Sequence, residues 1–241
     1  MSRRAVILAG GRGTRLRPYT IALPKPLMPV GDKAILEIII RQLAAAGFDH
    51  VTLAVNHQAE ILMAVFGDGR KLGVKVDYSL ETEPLGTMGP LRLIPDLPDN
   101  FIVMNGDILT DLDFAAFYDA HAQSDALMSI SAATREQVID YGVLKLDAND
   151  ILNGFEEKPR IPYLVSMGIY CLNKRILPLI PEGRAFGFDN LVLRLLADRT
   201  PAKIARHSGY WLDIGRPDDY QRATDDWPEL EKGIFPAGAN A

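Results

Sequence analysis

The sequence predicts an α/β fold of the doubly wound kind, and three observations predict it. Short apolar runs alternate with amphipathic stretches through the first half of the chain. A glycine-rich loop springs directly from the first apolar run. A later apolar run ends in an aspartate, at the place where doubly wound sheets present side chains to ligands.

The elements follow in order. Residues 5–8, 51–55, 74–78 and 101–104 read as strands, because they are short, apolar and bounded by glycine, asparagine or charged residues. Between them, residues 35–46, 59–66 and 88–93 read as helices. Gly47 closes the first, and Ile35, Leu36, Ile38, Ile39 and Leu43 form its core stripe. A helix over 114–122 leads to a strand over 127–132, after which the texture becomes strand-rich, at 143–146, 151–157 and 165–172. Asp147, Ala148, Asn149 and Asp150 make a hairpin turn between the first two of these. A helix at 190–197, a strand near 203–205, a strand over 210–214 and a last helix from Pro217 complete the ordered part. Residues 1–232 are expected to form one domain, with halves at 1–112 and 113–232, and residues 233–241 to fray.

Composition narrows the class. A chain of 241 residues can bury roughly 70–75% of its unfolded surface, so it needs no staples. The 26 basic and 31 acidic residues form neither a basic stripe nor a run of like charges, which argues against a nucleic-acid partner. Cys171 is the only cysteine, which rules out an internal disulfide and a cysteine-rich zinc site and fits a reducing, cytoplasmic setting. The opening apolar run stops at Gly10, too early for a signal peptide, and no stretch is long enough to span a membrane. His50, His57, His121 and His207 show no metal-ligand spacing and read as surface or loop residues. Cys171 reads as core, and Asp225 and Asp226 as a solvated face.

Four groups carry chemistry. Leu8, Gly10, Gly11, Arg12, Gly13, Thr14 and Arg15 belong to the glycine loop. Its backbone N–H groups can converge on phosphate oxygens, with Thr14 and Arg15 as further donors. The loop lacks the third glycine of a dinucleotide fingerprint and the Gly-Lys-Ser/Thr ending of a P-loop, and a tight turn is the plainer alternative. Lys25 stands between Pro24 and Pro26, which should hold an extended backbone and keep it out of any helix, aimed as a second phosphate ligand. Asp107 ends the strand through Met104 and either ligates Mg²⁺ or makes an Asx turn. Asp213 lies within an aromatic and apolar strand, where an unpaired charge is costly unless it faces a cation.

These segments, together with Glu83-Pro84-Leu85-Gly86-Thr87, Asn105-Gly106-Asp107, Tyr141-Gly142-Val143, Glu156-Glu157-Lys158-Pro159 and Trp211-Leu212-Asp213-Ile214-Gly215, resemble the sugar-phosphate nucleotidyltransferase family over nearly the whole chain. Within it the likeness is to mannose-1-phosphate and heptose-1-phosphate guanylyltransferases. The resemblance implies a Rossmann-like, mixed, mostly parallel sheet with a strand-rich sugar-binding insertion. It implies a Mg²⁺-dependent enzyme taking a nucleoside triphosphate and a sugar 1-phosphate, with a homodimer as one open assembly. It assigns Leu8, Gly10, Gly11, Gly13, Thr14, Arg15, Lys25, Glu81, Pro84, Gly86 and Thr87 to the nucleotide. Asn105, Gly142, Glu157, Lys158 and Ser166 fall to the sugar phosphate, and Asp107 and Asp213 to the metal. Arg15, Lys25 and Lys158 are then the catalytic cations, because a sugar phosphate is already an anionic nucleophile and the obstacle is bringing two polyanions together.

Glu81, or Glu83 in a shifted register, would meet the base. One carboxylate matches the two adjacent donors of guanine better than the single donor of uracil or thymine, favouring GTP. Two residues depart from the family pattern: Met88 stands where a small residue is common, and Ser166 where asparagine is common. A UTP- or dTTP-using hexose-1-phosphate enzyme is the alternative in the same class, and a non-catalytic sugar-nucleotide sensor the alternative in another. The sequence ends soon after the Trp211 segment, so the hexapeptide-repeat β-helix and acetyltransferase activity of some relatives are not expected.

Overall fold

A computed structural model describes residues 2–11, 13–56 and 58–235. Arg12 of the glycine loop, His57 and residues 236–241 of the expected tail lie outside them. The elements are β1 Arg4–Leu8, α1 Ile35–Ala45, β2 His50–Val55, α2 Ala59–Phe66, β3 Lys75–Leu80, β4 Asn100–Asn105, β5 Ile108–Thr110, α3 Phe114–Ala122, β6 Met128–Val138, β7 Gly142–Leu146, β8 Leu152–Glu157, β9 Arg160–Asn173, α4 Phe188–Ala197, β10 Ala202–His207, β11 Trp211–Asp213 and α5 Pro217–Ile234.

The main sheet runs β10-β6-β9-β4-β1-β2-β3. Its pairs β10/β6, β4/β1, β1/β2 and β2/β3 are parallel. β9 is antiparallel to both neighbours, so the sheet is mixed but mostly parallel. Side-chain alternation along the strands makes two cores. Ile7, Ile102, Met104, Ile169 and Cys171 pack under α1, α2, α3 and α5, while Val6, Phe101, Val103, Tyr170 and Leu172 pack under α4 and short 3₁₀ segments. Burial drives the Cys171 thiol pKa up, as expected of an inert core residue.

The stripe on α1 is fully buried, at about 1.5–3 kcal/mol for each large side chain as an upper estimate. The helix ends as expected: Gly47 has φ +82°, its N–H bonds Ala44 O at 3.0 Å, and Phe48 N–H bonds Leu43 O at 3.0 Å. α5 buries Ala223, Trp227, Leu230 and Ile234 along one face and carries Asp218 and Asp219 in its first turn, where the helix dipole favours negative charge. It remains helical through Gly233 and Ile234, past the point at which fraying is expected.

Several sequence expectations change in detail. Residues 89–93 form a 3₁₀ helix, because Gly89 and Pro90 suit a tight turn better than an α-helical one. The strand expected at 165–172 spans Arg160–Asn173, its register shifting between Ser166 and Tyr170. β5, a three-residue strand, has no counterpart in the sequence reading; it forms by pairing with β11, and Ile108 faces Asp213. His121 is a core residue, 2% exposed, with Nδ1 2.8 Å from Ser129 Oγ. Burial lowers its pKa from 6.5 to about 4, with a smaller contribution from the Lys203 charge.

Candidate active site

The cleft lies at the carboxyl ends of β1, β2 and β4, where the doubly wound plan places ligands. Ala9 N–H bonds Ala54 O at 2.8 Å and Gly106 N–H bonds Leu8 O at 3.0 Å, so the chain leaves the sheet only after Ala9. A space of about 320 Å³ opens there, lined among others by Leu8, Gly10, Gly11, Lys25, Glu81, Pro84, Gly86, Thr87, Asn105 and Asp107. Ten of the expected site residues therefore share one wall system. A side chain at Gly10 would press on the Asn56 amide at 3.1 Å, whereas Gly11 has nothing within 4 Å.

Gly13 turns the loop with φ +58° and caps the 3₁₀ turn Thr14–Leu16. Thr20 Oγ donates to its carbonyl at 2.7 Å, and the Lys25 Cβ lies 3.2 Å from where a Gly13 Cβ would sit. The glycine thus lets the loop close against the Lys25 stem. Lys25 itself occupies a 3₁₀ turn, Lys25–Leu27, contrary to the extended backbone expected from its flanking prolines. Pro26 is tolerated in that first turn because its missing N–H has no partner to lose. The lysine is still fixed: it is 9% exposed, and its ammonium donates to Asp107 Oδ2.

Asp107 sits between β4 and β5, and Asp213 ends β11. Ile214 N–H bonds Asp107 O at 3.0 Å, and Ile108 and Asp213 are direct ladder partners, whose Cα atoms lie ~4.5–5.5 Å apart in antiparallel pairs. The two acids are thus neighbours, despite more than one hundred intervening residues in the numbering. Asp213 is open to solvent along one edge, yet the protein crowding its other side, and then the Asp107 charge, raise its pKa; Lys25 and Arg15 pull it down. The Arg15 guanidinium lies 3.5 Å from the point a Gly215 Cβ would occupy, beside Asp213.

The donor set suits a hard divalent cation. Asp107 Oδ1 is buried with no hydrogen-bond partner, and a second carboxylate stands alongside. No group of three or more metal-binding side chains occurs among the described residues, and Mg²⁺ needs none, since it is commonly held by one or two carboxylates with phosphates and water.

Of the two carboxylates weighed for the base, Glu81 lines the cleft, whereas Glu83 is exposed and outside it. Burial raises the Glu81 pKa, opposed by the Leu85 N–H donating to its Oε2 at 3.2 Å. The loop beyond is tied to the segment before α4. Met88 and Gly89 N–H both reach Phe186 O, at 2.9 and 3.0 Å, and Phe188 N–H reaches Thr87 Oγ at 2.7 Å. Met88 is fully buried in the second core, so the larger residue is accommodated under the loop and not in the cleft.

The residues that the family resemblance assigns to the sugar phosphate are less gathered. Asn105 lines the cleft, and Gly168, φ +74°, approaches so closely that a Cβ would lie 2.7 Å from Asn105 Nδ2. Ser166 Oγ donates to the Tyr170 hydroxyl at 3.2 Å and accepts from Gly168 N–H at 3.2 Å, holding the irregular turn of β9. Trp211 Nε1–H bonds Met167 O at 3.0 Å, joining that turn to the strand of Asp213. Gly142 and Glu157 face each other across the separate β7/β8 ribbon, and Glu157 Oε2 would touch a Gly142 Cβ at 3.1 Å. Lys158 follows with φ +46°, and none of the three lines the cleft. Thr14, Arg15 and Ser166 also lie outside its lining.

Asn56 is a lining residue that sequence reasoning missed. Its signal was available: it directly follows the last residue of β2, a strand end in the same mostly parallel sheet as the one that singles out Asp107, two residues beyond β4.

A mixed doubly wound sheet with its cleft at the carboxyl ends of parallel strands defines a nucleotide-binding class of α/β protein. The chain belongs, more particularly, to the sugar-phosphate nucleotidyltransferase family: the nucleotidyl transferase profile matches residues 4–229. It is 33% identical over 241 residues to a mannose-1-phosphate guanylyltransferase of Mycobacterium tuberculosis, covering 98% of this chain and 66% of that protein. It is also 33% identical over 240 residues to a UTP–glucose-1-phosphate uridylyltransferase of Synechocystis, covering 91% of this chain and 62% of the other. Among solved structures, HddC from Yersinia pseudotuberculosis complexed with GMP-PN superposes with a TM-score of 0.71 at 30% identity, over 93% of this chain and 99% of that one. The chain thus spans less than two thirds of the length of the curated relatives it matches.

Proposed function

We propose that this chain transfers a nucleoside monophosphate from a triphosphate to a sugar 1-phosphate, forming a nucleoside-diphosphate sugar and pyrophosphate in a Mg²⁺-dependent in-line displacement. The observation that carries the reading is the cleft in which Gly10 and Gly11 face Lys25 and Asp107, with Arg15 and Asp213 alongside. Such an arrangement offers backbone donors and cations to a triphosphate and carboxylates to a metal.

In this mechanism Gly10, Gly11, Gly13 and Thr14 hold the triphosphate, and Lys25 and Arg15 neutralise its oxygens. Asp107 and Asp213 hold the cation, which when bound supplies positive charge to the phosphates. Lys158 and Glu157 seat the sugar phosphate, with Gly142 allowing close approach to the ring and Asn105 and Ser166 at its far side. The nucleophile is an anionic phosphate oxygen at neutral pH, so no general base is required. Catalysis is positioning and charge neutralisation at the α-phosphorus.

GTP and a mannose- or heptose-like sugar are the favoured pair, supported by Glu81 on the cleft wall and by the names of the guanylyltransferase relatives and the GMP-PN complex. The uridylyltransferase, equally similar at 33% identity, supports UTP with a hexose 1-phosphate as the second reading. Pyrophosphate release, measured across a grid of triphosphates and sugar 1-phosphates with Mg²⁺, separates them. Fastest turnover with GTP is expected; faster turnover with UTP or dTTP would remove the guanine reading. Release from no combination would favour a non-catalytic sensor, although a sensor has no chemical need for Arg15, Lys25, Asp107, Lys158 and Asp213 together.

A further inference from the structure

We propose that Lys25 is a resident counter-ion that keeps the divalent-cation site closed until a triphosphate draws it away, so that metal enters with nucleotide and not before it. The inference rests on the proposed reading of Asp107 as a metal ligand and deepens it. Asp107 has two oxygens to offer. One takes the Lys25 ammonium, and the other is buried and faces no donor. The lysine is 9% exposed, clamped between prolines and packed against Gly13, and its ammonium has its hydrogen bond to Asp107.

A cation arriving alone would have to displace a buried ammonium whose other nearby carboxylate, Asp213, is itself a ligand that the cation needs. It would then meet that ammonium at short range as a like charge. A triphosphate changes both conditions. It brings acceptor oxygens into the cleft that Lys25 itself lines, and the ammonium transfers to them. Asp107 is then released, with both oxygens free, to the metal the triphosphate carries. The ammonium is a compact point charge on a four-carbon stem, which suits a short transfer between neighbouring oxygens.

The test is Mn²⁺ binding to the full chain without nucleotide, followed by electron paramagnetic resonance. Wild-type protein is expected to bind weakly, and Lys25→Met at least about tenfold more tightly, since a unit positive charge a few ångströms from the site is removed. Affinity unchanged or weakened in a folded Lys25→Met overturns the proposal. Should that variant not fold, the wild-type thermal midpoint decides. Mn²⁺ alone should leave the midpoint in place, and Mn²⁺ with GTP or UTP should raise it beyond the effect of nucleotide alone. Mn²⁺ alone raising it as much as it does with nucleotide overturns the proposal. Asp107→Asn tells this failure apart from failure of the site. If the tight Mn²⁺ binding of Lys25→Met persists when Asp107→Asn is added, the metal is not at Asp107 and the underlying reading falls. If Lys25→Met gains nothing while Asp107→Asn still abolishes metal binding with nucleotide, only the counter-ion role of Lys25 is lost.

Discussion

Replacing Gly13 by alanine perturbs the backbone and the Lys25 stem together, and a second glycine separates the two effects. Gly13 has φ +58°, and an added Cβ would sit 3.0 Å from Thr20 Cγ2 and 3.2 Å from Lys25 Cβ. The left-handed conformation costs an L-residue about 1–2 kcal/mol, and the tight contacts bring the total to about 2–3 kcal/mol. For a chain of this size each kcal/mol lowers Tm by ~2–4 °C, so a fall of about 4–12 °C is expected. Gly47, φ +82°, has nothing within 4 Å of the point an added methyl would occupy, and Gly47→Ala should carry the backbone cost alone. The functional outcomes diverge. Gly13→Ala must push the Lys25 stem by a few tenths of an ångström, and a misplacement approaching 1 Å can cost about 10²-fold in rate. Gly47→Ala should leave turnover intact. Thermal melts and initial rates of pyrophosphate release, taken where both variants are folded, make the comparison. Equal turnover in the two variants would refute the link from glycine loop to Lys25.

Three further outcomes follow from buried groups and close contacts. His121 has its folded pKa depressed from 6.5 to about 4, so its contribution is complete above pH 6.5 and is lost as pH falls towards 4. Between pH 7.5 and 5 this amounts to about 2 kcal/mol in urea unfolding; His121→Gln should remove that portion of the slope, and parallel pH profiles would disprove it. Glu81→Gln should lower kcat/KM with GTP about 10²-fold while affecting UTP much less, since an unmatched buried donor pair is costly; an equal loss with both triphosphates would take Glu81 away from the base. Gly168→Ala, at φ +74° and 2.7 Å from Asn105 Nδ2, should displace the Asn105 amide and raise KM for the sugar phosphate more than for the triphosphate; a change confined to the triphosphate would move Asn105 to the other substrate.

The doubly wound core is legible in the sequence because period-two strands and the α1 stripe each report one buried face, and local patterning is enough to show it. The glycine loop, Lys25 and Asp107 are legible for a related reason: strand ends in such a sheet converge by topology. What escapes depends on contacts distant in sequence. β5 is three residues long and exists because β11 pairs with it. The Lys25 turn tolerates Pro26 in its first positions and packs against Gly13, a contact across the loop that the extended preference around its prolines does not reveal. The burial of His121 does have a local signal, since Phe114, Phe117 and His121 share one buried helix face at spacings of three and four. The β7/β8 ribbon marks a boundary of another kind. Its Gly142–Glu157 pairing follows from strand register, but neither residue lines the cleft, and nothing local in the sequence relates the ribbon to it.

The most direct measurement is pyrophosphate release by Asp107→Asn with the best triphosphate and sugar 1-phosphate pair. The substitution is nearly isosteric, retains a side chain at the strand end and removes the charge that pairs with Lys25 and that the proposed metal would require. A folded variant with turnover reduced at least about 10²-fold is the expected result. Near-normal release from the folded variant would contradict the central claim that this carboxylate anchors the chemistry.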